Sequence, residues 1–89
     1  MALLIRPDGS QEIVTPVNGS DFTLEEVQKL VGGYVEEVHL NNPDYKKYHF
    51  VLCDEDGIAK HLDYNETASQ IARCDFVGNA LLLEKGELR

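Results

Sequence analysis

The chain has 89 residues, and its 16 Asp and Glu outnumber 8 Lys and Arg to leave a formal charge of −8. That balance provides no basic face for nucleic acid, whose binding rests on neutralised phosphates, so direct DNA or RNA binding is not expected. A single domain over residues 1–89 buries only a modest core and holds no large internal cavity, so a homo-oligomer is expected to add buried area.

"ALLIR", "PDGS" and "QEIVT" read as strand, tight turn and strand, with Asp8-Gly9 between two apolar runs as the hairpin signal. The apolar run ahead of Arg6 and Pro7 is too short for a signal peptide or a bilayer span, so no membrane partner is expected. Pro16 closes the second strand, and "VNGSD" is a loop. Thr23 and Glu26 then have the spacing of a capping box, with Phe22 and Val27 placed as a hydrophobic staple. Leu24, Val27, Leu30 and Val31 form one helical stripe, and Gly32 is suited to end it.

"YVEEVHL" is the next strand, in which alternation puts Tyr34 and Glu36 on one face. One of its faces is expected to be core and the other open to solvent or a partner. "NNPDYKK" is a loop, "YHFVLCD" a central strand, "DEDG" a turn and "IAKHL" a shorter strand pairing back. "NETASQIAR" forms a short helix capped by Asn65, and "DFVGNALLLE" is the last strand, interrupted at Gly78-Asn79 by a bulge or a close backbone approach. The order ββαβββαβ is that of an α+β domain, a mostly antiparallel sheet with two helices. The apolar fraction of 43% is that of a globular chain, and Cys53 and Cys74, which have no CxxC spacing, are expected to be buried, reduced thiols.

"LEEVQKLVGGYVEEV", "LCDEDGIAKHLDYNETAS" and "FVGNALLL" resemble the small phage and mobile-element proteins catalogued as domain of unknown function 3846. The positions that carry the likeness are Gln28, Val31, Gly32, Gly33, Tyr34 and Glu36, then Glu55 and Gly57, Asn65 and Ala68, and Val77 and Gly78. One departure is Asp54, which stands where that pattern has Asn. The resemblance implies a phage or prophage gene expressed in the cytoplasm of a bacterial host. By analogy of setting, it also implies an accessory protein that interferes with host defence.

No enzymatic site is expected. His39, His49 and His61 fall on three predicted strands as surface residues rather than as a metal or catalytic cluster. "DEDG" lacks the spacing of a calcium loop, and no nucleophile, Walker or Rossmann pattern occurs, so no cofactor is expected. The double glycine has two readings. Gly33 lets the chain bend without a Cβ clash, or it leaves backbone amides bare for a ligand that stacks on Tyr34 and bonds to Glu36. Asn65 is a helix cap or a reader of a base edge, Asn79 marks a bulge or lines the same pocket, and Arg6, Lys60 and Arg73 are the candidate phosphate partners.

Three functions fit these residues. The first is sequestration of a nucleotide-type immune signal in a pocket completed across a homo-oligomer interface; it requires locally clustered cations. The second is a DNA-mimic-like inhibitor of a host protein, presenting Glu25, Glu26, Asp54, Glu55, Asp56 and Asp63 as a row of carboxylates. The third is a solvated acidic surface with neither role.

Overall fold

The computed structural model describes residues 1–88. Its strands are β1 (Ala2–Ile5), β2 (Gln11–Val14), β3 (Val35–His39), β4 (Tyr48–Asp54) and β5 (Ala80–Glu84); its helices are α1 (Leu24–Val31) and α2 (Glu66–Ala72). The strands form one antiparallel sheet in the order β2-β1-β5-β4-β3, as the α+β reading requires. The capping box starts α1 as the sequence predicts: Glu26 N donates to Thr23 Oγ1 at 3.3 Å and Thr23 N to Glu26 Oε1 at 2.9 Å. Such a cap contributes about 1 kcal/mol.

The helices lie on opposite faces of the sheet. Val27 and Val31 of α1 pack with Phe22, Leu4, Leu52 and Leu81, whereas Ala68 and Ile71 of α2 pack with Ile5, Val51, Cys53 and Leu82. Strands covered on both faces must be apolar at successive positions, which is why β1 and β5 read "ALLI" and "ALLL" rather than alternating. β3, for which one core face and one open face are expected, has neither outright: Val35 and Val38 are half-buried against opposite core layers, while Glu36, Glu37 and His39 are exposed. A buried carboxylate, Glu87, ties the strand ends together: Oε1 accepts from Glu84 N at 2.8 Å and Oε2 faces the Met1 ammonium at 2.7 Å.

One predicted strand is absent. Residues 55–61 form successive turns, in which Lys60 N donates to Asp56 O, and Leu62 N closes them by donating to Gly57 O, giving the order ββαββαβ. The reason lies in the sheet order: β4 already has β3 on one side and β5 on the other, so "IAKHL" has no edge to pair back on. Gly78 and Asn79 precede β5, and the register shift of the sheet lies instead between Tyr48 and Phe50 of β4.

Candidate functional site

The double glycine stands where α1 hands over to β3. Gly32 takes the left-handed conformation at φ 103°, and the amides of Gly32 and Gly33 both donate to Gln28 O, at 2.7 and 3.1 Å. Gly33 has a different reason to lack a side chain. A Cβ there would lie 2.5 Å from Lys60 Nζ and 3.1 Å from Asp54 Oδ2. Lys60 crosses this space to donate to Asp54 Oδ2 at 2.8 Å. The Asp54 side chain is 1% exposed, and its Oδ1 accepts from Asp56 N at 2.8 Å. The Lys60 ammonium, outweighing burial, holds the Asp54 carboxyl below its ordinary value.

Tyr34, 71% exposed, borders a concavity of about 370 Å³ with Gln28, Gly33, Asp56 and Lys60. The structure thus brings Gly33, Tyr34 and Lys60 together and places the other sequence-predicted residues elsewhere. Asn65 is fully buried as the cap of α2: its Oδ1 accepts from Ala68 N at 3.0 Å, and its Nδ2 donates to Ile5 O at 3.0 Å and Gly78 O at 2.8 Å. Every polar atom of that side chain is engaged internally, leaving none to read a base. Asn79 Nδ2 donates to Leu30 O at 3.1 Å, fastening the last turn of α1. Arg6 is paired with Glu12 at 2.6 Å, and Arg73 is the exposed, left-handed C-cap of α2. No cluster of unpaired cations forms beside Tyr34 among the residues that line its concavity.

The expected row of carboxylates is also interrupted. Asp54 is buried and paired, and both oxygens of Glu26 are engaged, by the amides of Thr23 and Val17. A different acidic arrangement forms on the α2 side of β3. There a groove of about 290 Å³ has Val38, Phe76 and Val77 in its wall and Glu36, Glu55 and Asp75 around it, with Ile58, 84% exposed, at its border. Among the described residues no Lys, Arg or His lines it. Cys53 and Cys74 line it as well. Burial, with a smaller contribution from Glu36, pushes the Cys53 thiol up to about 11, and burial raises Cys74, so both stay protonated at neutral pH. Cys74 is exposed rather than buried as expected. Sequence reasoning missed this groove because Glu36, Glu55 and Asp75 come from three segments that only the β3–β4 register and the return of the chain after α2 bring together.

The edge of the sheet beside this groove is open. Glu55 N donates to Tyr34 O at 2.8 Å and Leu40 N to His49 O at 2.8 Å, so residues 34 and 40 turn their backbone groups toward β4. Backbone direction alternates along a strand, so Glu36 and Val38 do the same, and Val35, Glu37 and His39 direct their amides and carbonyls away from the sheet. β3 is the last strand on its side.

These features define an α+β module in which the acidic groove and the Tyr34 concavity both lie toward the β3 end of the sheet. A further concavity of about 460 Å³ is bordered by β2 and α1 at the other end. The chain belongs to the family described as Domain of unknown function (DUF3846), whose model matches residues 1–88. Comparison with curated proteins and with solved structures gives no match. Among the described residues, no helix is long and apolar enough to cross a membrane, and no three His, Cys, Asp or Glu side chains are grouped to hold a metal ion.

Proposed function

We propose that this chain is a non-enzymatic binding module that captures a basic, partly apolar segment of a protein partner. The observation that carries this reading is the groove on the α2 side of β3, where an apolar wall is bordered by Glu36, Glu55 and Asp75 with no cation among its lining residues. Apolar area supplies attraction, and complementary charge speeds encounter and selects the partner. In the phage setting that the family resemblance implies, the partner is a host defence protein whose nucleic-acid surface supplies the Lys and Arg. The nucleotide-sequestering reading keeps one supporting feature, the exposed Tyr34 ring. It is the weaker, because the ammonium beside that ring is already neutralised by Asp54.

A capped six-residue Lys/Val peptide with a fluorescent label tests the proposal. Binding to the intact protein is expected at low salt and should weaken at about 0.5 M salt, where the screening length falls to a few ångströms. Joint Glu36→Lys and Asp75→Lys substitution should lower affinity at least about tenfold, the loss of roughly one exposed charge pair per site. Glu25→Lys, on exposed α1 across the sheet, should leave it unchanged. Equal loss in the Glu25→Lys control, or no binding at low salt, overturns the reading.

A further inference from the structure

We infer that the partner segment enters as an added strand on the free edge of β3, with the side-chain order apolar–basic–basic–apolar; this rests on the proposed capture of a basic segment. Two independent features meet at this edge. The first is the set of outward backbone groups on Val35, Glu37 and His39, which presents donors and acceptors to a sixth strand. The second is the order of the side chains, Val35-Glu36-Glu37-Val38.

An added strand lies about 4.8 Å from β3, and each of its residues sits opposite one residue of β3 on the same face. Glu36 and Val38 share the face of Cys53 and Val51, the groove side, whereas Val35 and Glu37 share the face of Asp54 and Leu52. The complement therefore has a cation opposite Glu36 and another opposite Glu37. Apolar side chains fall opposite Val35 and Val38, each half-buried and with apolar area left to cover. Because the pattern reads the same in both directions, it fits a parallel or an antiparallel newcomer. The groove adds to this selection on one face only: Glu55 and Asp75 attract the cation opposite Glu36. Self-pairing of two copies centred on Glu37 would set the two Glu37 carboxylates against each other.

Three peptides of six residues decide the matter by fluorescence anisotropy with the full chain. One has a Val-Lys-Lys-Val core, one a Lys-Val-Val-Lys core of equal composition and charge, and one the first core with alternate amides N-methylated on the pairing edge. The first should bind about tenfold more tightly than the second, since four cross-strand pairs of modest energy are mismatched there. N-methylation should abolish the difference by removing the donors that pair with β3. Glu37→Pro should weaken the first peptide to the level of the second while retaining the fold, because the Glu37 amide points away from β4. Equal, salt-sensitive binding of all three peptides overturns the added strand and leaves the acidic groove standing. Binding by none overturns both. A dimer in sedimentation velocity that Glu37→Pro dissociates also overturns the inference, because the edge then belongs to a second copy.

Discussion

At the α1–β3 junction a buried carboxylate, a part-exposed ammonium and a missing Cβ behave as one unit. Lys60→Met leaves Asp54 buried without its partner. Loss of one member of a fully buried pair costs about 3–5 kcal/mol, but Lys60 is 42% exposed and partly screened, so about 1–2 kcal/mol is expected. Gly33→Ala requires the Lys60 ammonium to shift, and because that is the tip of a flexible, part-exposed side chain the cost should be no more than about 1 kcal/mol. In the Lys60→Met background that cost should fall by half or more, because only the 3.1 Å approach to Asp54 Oδ2 is left. A double-mutant cycle by urea unfolding reads this coupling, and additive costs would refute it. The pH dependence has a definite sign. Asp54 is held below its ordinary 3.8, so its contribution is present above that pH and is lost as pH falls through the lower folded value. The gap between wild type and Lys60→Met should therefore shrink from pH 7 toward pH 3.

Among the elements, α2 depends most on a single side chain. Asn65→Asp keeps the oxygen that caps Ala68 but replaces a donor by a charged acceptor facing the carbonyls of Ile5 and Gly78. A loss of about 3 kcal/mol is expected at pH 7 from two unsatisfied buried carbonyls. Burial against two carbonyls raises that carboxyl above its ordinary value, so part of the loss should return as pH falls toward about 4 and the protonated group can donate. Thermal unfolding at the two pH values checks this; a loss that does not change with pH would make Asn65 a cap alone. The cap itself was legible in "NETASQIAR", as α1 was in Thr23 and Glu26, because such signals are local. The second partner set of Asn65, sixty residues distant at Ile5, left no local trace. Residues 58–62 misled for the same reason: their status depends on which edges of β4 are free, a property of the sheet order. Tyr34 and Glu36 follow strand alternation on paper, yet Tyr34 lies in the bend after Gly33, ahead of β3. It faces the Lys60 concavity while Glu36 lines the groove.

Across the whole molecule, stability and accessibility divide along the sheet. β5 is flanked by β1 and β4 and covered by a helix layer on each face, so Leu81, Leu82 and Leu83 are wholly buried. Each such leucine contributes about 1.5–3 kcal/mol of transfer energy, and opening their amides requires global unfolding. β3 is bonded on one side only. Hydrogen exchange followed by NMR should therefore show a period of two along β3. The amides of Glu36 and Val38, directed at β4, should be protected, while those of Val35, Glu37 and His39 should exchange within the dead time. The slowest set should be Leu81–Leu83. Uniform protection through residues 35–39 at high protein concentration, relaxing to alternation on dilution, would mean that a second copy covers the edge. Alternation at every concentration leaves that edge open in the free protein, and the net charge of −8 favours this outcome because copies brought edge to edge repel one another.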